Sequence, residues 1–316
     1  MINKTSEQLR TLMKSSAFFL NRSRALLFVF ALLFVAVSAH AETKIHALTK
    51  VIEGHSTGGV TVDALGNIYV ADFGEIVWKI TPEGKRDVFA SGLYGASGNA
   101  IDHEGNLLQA NFYGDSITKI DRKGQAQPFA TSGLSGPVGI AINKQTGDVF
   151  VANCRGQSIS KIAKDGTVSS FAKSDLFNCP NGVAFDGEGN LYVVNYRDNK
   201  MLKIDSQGAV ALFTTISAKG LGHLCFNQKD RFYVTASQSH EIYEVMLDGT
   251  ASRILGNGER GIVDGADKKA RLSFPNGIVK HPWSQRLYIN EFVNETPSSL
   301  PRHAIVREII LAADQP

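Results

Sequence analysis

From residue 44 onward the chain alternates between runs of four to six apolar or β-branched residues and short clusters of Gly, Asn, Asp and Lys. NIYVAD at residues 67–72 and NLYVVN at 190–195 are typical runs, and each is preceded by a glycine. No helical period of apolar positions spans these segments, so they are predicted as strands joined by Gly-Asn, Lys-Gly and Asp-Gly hairpin turns. The runs are organised in larger blocks. GGVTVDALGNIYVADFGEIVWKITPEGKRDVFA from Gly58 recurs as SGNAIDHEGNLLQANFYGDSITKIDRKGQAQPFA from Ser97 and as VGIAINKQTGDVFVANCRGQSISKIAKDGTVSSFA from Val138. Further copies begin at Asn181 (NGVAFDGEGNLYVVNYRDNKMLKIDSQGAVALFT), Gly222 (GHLCFNQKDRFYVTASQSHEIYEVMLDGTASRIL) and Asn276 (NGIVKHPWSQRLYINEF).

Successive starts lie 39, 41, 43, 41 and 54 residues apart. Four short antiparallel strands in about 40 residues make one propeller blade. The strands are named A to D from the inside outwards, and in the copy at Asn181 they are GVAFD, NLYVVN, MLKI and AVALFT. The sixth copy ends after its C strand, and an orphan strand, KIHALTKVI at residues 44–52, precedes the first A strand. Lending that segment to the last blade as its outer strand removes an exposed edge. The expected fold is therefore all-β: a six-bladed β-propeller over residues 42–316, closed by its N-terminal strand.

Residues 1–41 stand outside the repeat. ALLFVFALLFVAV at 25–37 is an apolar run of 13 residues, preceded by Lys14, Arg22 and Arg24 and followed by AHA at 39–41. This is the layout of a secretory signal peptide, and it is short for a membrane span. The expected product is exported, periplasmic or secreted, without a stable membrane anchor once the leader is removed. The formal charge of +3 belongs to the leader, because residues 42–316 hold 28 basic and 29 acidic side chains. No basic block remains to suggest a nucleic-acid partner. A monomer is expected.

Strand direction sorts the loops between two faces. The A–B turns (DALGN, DHEGN, DGEGN) and the C–D turns share the bottom face, where their Asp, Gly and Asn residues supply turn conformations. The top face receives the start of A, the B–C loop and the D-to-A connection. It also receives the two longest insertions, residues 256–274 and 292–303, and long loops on one face of a rigid scaffold commonly carry function. Two rings of positions surround the top of the channel. The inner one, at the start of strand A, reads Gly58, Ser97, Val138, Asn181, Gly222 and Asn276. The second, at the end of strand B, is aligned as Asp72, Asn111, Asn153, Asn195, Ala236 and Asn290. Both rings are candidate ligand contacts. The second ring, and the outer series Glu75, Asp115, Gln157, Asn199 and His240, also read as caps of the B–C turns.

His55, His223 and His240 are placed on the top face, with Glu53, Glu291 and Asp264 on neighbouring segments. A His beside a carboxylate is a candidate general base. Cys154 follows the second-ring Asn153, and Cys179 lies two residues before strand A of the next blade. Both positions are on the top of adjacent blades, so a Cys154–Cys179 disulfide is predicted, which an oxidising compartment permits. Cys225, inside a strand A, is expected to be a buried free thiol.

At GNGERGIVDGADKKARLSFPNGIV, residues 256–279, together with GNIYVAD and GNLYVVN, the chain resembles NHL repeats. More loosely, it is similar to the gluconolactonase and regucalcin-like propellers. That resemblance implies a divalent cation such as calcium at the top of the channel, held by a first-blade Glu, Asn residues of later blades and an Asp. Asn181 and Asn276 match the Asn positions and are the candidate metal ligands. Gly58 and Gly222 stand where the family has its Glu and Asp, and Glu53 lies five residues ahead of the matching strand position. Calcium takes six to eight oxygen ligands, commonly with carboxylates among them. Two functional readings follow. One is a binding module whose top face holds a small molecule, glycan, peptide or partner protein, favoured by the missing carboxylates and the long top loops. The other is a hydrolase of a lactone or ester, metal-dependent or His-assisted, favoured by Asn181, Asn276 and the nearby His and Glu residues.

Overall fold

A computed structural model describes residues 43–47, 52–53, 56–293 and 303–312. The predicted leader and the His55 candidate lie outside the described residues. Six antiparallel sheets follow one another along the chain. In the first five blades the strands pair in the order A-B-C-D, without crossovers. Their inner A strands are Val60–Val62, Ala96–Ile101, Pro137–Ile142, Pro180–Phe185 and Leu221–Phe226, and Pro275–Lys280 is that of the sixth blade.

The sixth sheet continues through strand B (Arg286–Val293) and strand C (His303–Ile310) to Lys44–Ala47 in the outer position. The pairing runs from Lys44 opposite Ile310 to Ala47 opposite Arg307, and Ile52–Glu53 pairs with the start of the same C strand. Gly265–Ala266 adds to the far side of Lys44–Ala47. Chain residues more than 200 positions apart thus share one sheet.

Burial follows strand rank. The B strands Leu107–Asn111, Val149–Asn153 and Leu191–Asn195 are buried at every position, because both of their faces pack against neighbouring blades. The D strand Arg86–Ala90 is exposed for its first three residues. The core lies between blades: Tyr192, Val194 and Met201 of blade four pack with Leu224, Phe232 and Val234 of blade five. Tyr192 and Phe232 bring ring centroids to 4.5 Å across that junction.

The bottom turns are self-contained. Asp63, Asp102 and Asp186 each accept the amides two and four residues ahead at 2.8–2.9 Å. These side chains close turns and face away from the strand-A starts, as the strand directions predicted.

Candidate functional site

The inner ring is where the strand repeats place it, and Ser97, Val138, Asn181 and Asn276 line a cavity of about 600 Å³ at the top of the channel. Three of these side chains make the same bond, donating to a backbone carbonyl at the start of the next blade. Ser97 Oγ donates to the Pro137 carbonyl (2.8 Å), Asn181 Nδ2 to Leu221 (3.3 Å) and Asn276 Nδ2 to Thr57 (2.6 Å). The blades approach so closely here that a Cβ on Gly182 would meet His223 Cα at 2.6 Å.

His223 occupies the position that is glycine in the other five blades: Gly59, Gly98, Gly139, Gly182 and Gly277. Its ring lines the cavity, and Nε2 is shielded from solvent with no hydrogen-bond partner. Burial holds its pKa down at about 4, so the imidazole is neutral at pH 7.

The second ring is committed to the scaffold. Asn111 Oδ1 accepts the Tyr94 amide and Asn153 Oδ1 the Ser135 amide, while Asn195 Nδ2 donates to the Leu176 carbonyl. All three side chains are buried. Strand register corrects the sequence alignment in blade six. Pro180 pairs with Asn195, whereas the equivalent Pro275 pairs with Glu291, not Asn290. Glu291 accordingly takes the ring's scaffold bond, its Oε2 accepting the Ser273 amide at 3.2 Å. Asn290 sits one position earlier and donates to the Gly58 carbonyl at 3.1 Å.

Glu291 is also the buried partner of Arg307, and neither side chain has solvent exposure. Arg307 reaches further, to the Val263 carbonyl (2.8 Å), the Arg271 carbonyl (2.9 Å) and Asp264 (2.8 Å). Together they clasp the linker of residues 256–274 to blade six. Burial raises the Glu291 carboxyl towards 7 and the Arg307 charge opposes that rise. Glu291 and Asp264 thus anchor the linker and are not among the residues that line the cavity.

His240 does similar structural work: its Nδ1 accepts the Phe274 amide at 3.1 Å, and its ring meets Phe274 edge-on. Glu53 pairs through its backbone with His303 on the outer side of blade six. Cys225 is free, and burial pushes its thiol up to about 12, which suppresses thiolate chemistry.

Sequence reasoning passed over the ring that forms the cavity wall. The residue after each second-ring position is Phe73, Phe112, Cys154, Tyr196, Ser237 or Phe292, and all six line the cavity. The dipeptides Asp-Phe, Asn-Phe, Asn-Cys, Asn-Tyr, Ala-Ser and Glu-Phe carried that signal in the repeat. A second set comes from the residue just before strand A. Gly95, Gly136 and Gly220 hold positive φ there, and so do Cys179 (56°) and Phe274 (49°). A left-handed backbone is unfavourable for a residue with a side chain, and such strain clusters at functional sites. In these two blades the side chain gained lines the cavity. The predicted disulfide between Cys154 and Cys179 is present and forms part of the wall, packed against Val138, Phe112 and Tyr196.

Ser56 and Thr57 ahead of the first strand A, Arg197 from the B–C loop of blade four and Arg260 from the linker complete the lining. Arg260 lies over the Phe274 ring at 5.0 Å, and its Nε donates to Ser273 Oγ. Among the described residues the lining contains no carboxylate, and no cluster of three His, Cys, Asp or Glu side chains has metal-site geometry. Two neutral amide oxygens fall short of the donor set that calcium takes.

No protein-family model matches the chain, and no curated protein matches it. Solved structures do. An auxiliary nutrient binding protein from Bacteroides thetaiotaomicron superposes with a TM-score of 0.69 at 12% identity, covering 85% of this chain and 76% of that one. A gluconolactonase from Xanthomonas campestris gives 0.65 at 16%, covering 86% and 93%. A catalytically inactive virginiamycin B lyase from Staphylococcus aureus with quinupristin gives 0.61 at 14%, covering 85% and 100%. At these identities the likeness is one of fold: a six-bladed β-propeller shared by binding proteins and enzymes.

Proposed function

We propose that this protein is an exported, monomeric binding protein whose channel-top bowl takes a small-molecule ligand. The observation that carries the reading is the wall itself. Phe73, Phe112, Tyr196, Phe274 and Phe292 and a disulfide surround about 600 Å³, with no carboxylate among the described lining residues. An apolar, aromatic concavity with a few convergent polar groups is the usual form of a small-molecule site. Three lining residues, Phe73, Cys179 and Phe274, hold a left-handed backbone, as expected where side-chain placement outweighs local strain. Export is supported by the disulfide, which persists in oxidising compartments. Among the described residues no helix is long and apolar enough to cross a membrane.

A second reading, hydrolysis or elimination on a lactone or ester, is favoured by His223. It lines the bowl, and gluconolactonase and lyase structures share the fold. Its depressed pKa weighs against this reading, since a general base works best with a pKa near the operating pH.

Purified protein lacking residues 1–41 is titrated with a panel of lactones, esters, sugars and organic acids, scored for both thermal shift and turnover. Saturable stabilisation without turnover, lost in Tyr196→Ala, is the expected result. Turnover that disappears in His223→Gln would move the second reading ahead.

A further inference from the structure

Two features of the top face adjoin the bowl. The first is a ledge of aromatic rings. Phe73 and Phe112 line the bowl, and their ring centroids lie 5.8 and 5.2 Å from that of Tyr113, which in turn lies 5.6 Å from that of Tyr94. Tyr113 and Tyr94 are 51% and 62% exposed. Single exposed rings are ordinary on a protein surface, whereas contiguous ones that run into a cavity point to a ligand. The ledge is also fixed in place. The Tyr113 amide donates to the Tyr94 carbonyl at 3.2 Å, and the Tyr113 ring packs on Gly95, where a Cβ would meet its Cδ2 at 2.6 Å. A ring held before binding loses little freedom on binding.

The second feature is a groove of about 860 Å³ between the loops of blades four and five. It shares Tyr196 and Arg197 with the bowl, so the two concavities are continuous. Tyr196 is the one aromatic ring of its described lining, and Asn199, Ser217, Gln238 and Ser239 supply amides and hydroxyls. The carboxylates of the groove are engaged within the protein, Asp198 with Lys200 at 3.6 Å and Glu241 with Arg253 and the Tyr243 hydroxyl.

Adjacent blades touch through their A strands and the sixth touches the first, so the ring is closed. In a ring of six, the junction of blades one and two lies opposite that of blades four and five. The ledge and the groove are therefore on opposite sides of the bowl. The wall between them is continuous, because Phe112 and Tyr196 both pack against Val138 and the Cys154–Cys179 disulfide. The top face thus carries a trough with an aromatic end, the bowl in the middle and a polar end.

A trough suits a chain rather than a compact molecule. A hydrocarbon chain would cover the amides and hydroxyls of the groove without bonding them, which is unfavourable. An extended peptide commonly binds by adding to a free strand edge, and this trough is built from loops and strand ends. A sugar unit meets both demands. The C–H face of its ring packs on aromatic rings, and the hydroxyls at its edge bond to side-chain amides and hydroxyls. Resting on the binding reading above, we propose that the ligand is an oligosaccharide. One sugar unit occupies the bowl, and the units on either side lie on Tyr113 and Tyr94 and in the groove against Asn199 and Gln238.

The test is calorimetric titration of the purified protein with malto-, cello-, xylo- and chito-oligosaccharides, from the monosaccharide to the hexasaccharide. Oligoproline and dodecanoate serve as chains of other chemistry. In at least one series the tetrasaccharide is expected to bind about ten-fold or more tighter than the monosaccharide, about 1.4 kcal/mol or more. Tyr113→Ala and Gln238→Ala each shrink that gain several-fold and Tyr113→Phe keeps it, while the melting temperatures of the unliganded variants stay near wild type. Equal affinity at every length overturns the proposal, and so does a full gain in Tyr113→Ala or in Gln238→Ala. Binding of oligoproline, dodecanoate or a lactone, ester or organic acid while every sugar fails overturns it too. Each of these outcomes leaves the binding reading standing. If no sugar and none of those compounds binds, both fall.

Discussion

Gln157 Oε1 accepts the backbone amide of Cys179 at 2.9 Å, joining the B–C loop of blade three to a residue whose φ is 56°. The same bond recurs around the ring. Asp115 accepts the Gly136 amide at 2.6 Å, and His240 Nδ1 accepts the Phe274 amide at 3.1 Å. Asp115, Gln157 and His240 of the outer polar series are therefore clips for the left-handed residue that opens the next blade. Where that residue is Cys179 or Phe274, the clip helps to offset the strain of a non-glycine residue in this region and aims its side chain into the bowl.

Replacing the clip exposes its worth. Gln157→Leu keeps the bulk but leaves the Cys179 amide without its acceptor, which costs about 1–3 kcal/mol. Urea unfolding reads this as a lower midpoint at unchanged slope. An unaltered midpoint would show that another acceptor takes over.

The disulfide closes a loop of 25 residues in sequence separation and also builds the wall. Chain-entropy arguments give about 3 kcal/mol for a loop of this size. Cys154→Ser with Cys179→Ser is expected to lose about that much stability and to bind the bowl ligand more weakly. Reductant should lower the melting temperature of wild type and leave that of the double variant unmoved.

Arg307→Met strands Glu291 in the interior and releases the linker carbonyls of Val263 and Arg271. Removing one member of a buried ion pair costs about 3–5 kcal/mol. The Glu291 carboxyl is raised by burial to about 7, so its contribution to stability is full below 4.5 and lost as pH rises through 7. Without Arg307 it rises further. The stability gap between wild type and variant should therefore narrow as pH falls from 8 to 5. Limited proteolysis is expected to cut first within residues 256–274.

His223 titrates with the opposite sign. Its folded pKa of about 4 lies below the ordinary 6.5, so the stability linked to its neutral form is present above 6.5 and lost as pH falls towards 4. In His223→Gln the loss of stability between pH 7 and pH 4 should be smaller than in wild type. Identical pH profiles would mean that His223 is not the group that titrates.

Much of the scaffold can be read along the chain. Six copies of one strand pattern, with Asp-x-x-Gly-Asn turns on one side, give the blade count, the strand order and the face that carries the long loops. Cys154 and Cys179 could be paired because each sits at a known point of its repeat. The alignment failed only in blade six, where Asn290 looked like the end of strand B and Glu291 occupies that position. An Asn that fits the repeat by type is indistinguishable in sequence from one that fits by register.

By itself the sequence determined the ring, its top face and the residues available there, because strand alternation and turn chemistry act over a few neighbouring positions. Tertiary structure decided their employment. The second-ring asparagines point into the scaffold, Glu291 and His240 hold the linker, and the aromatic residues one position on form the wall. Those assignments depend on which backbone amide or carbonyl lies within about 3 Å of each side chain. That is settled by how adjacent blades pack, and no local pattern records it.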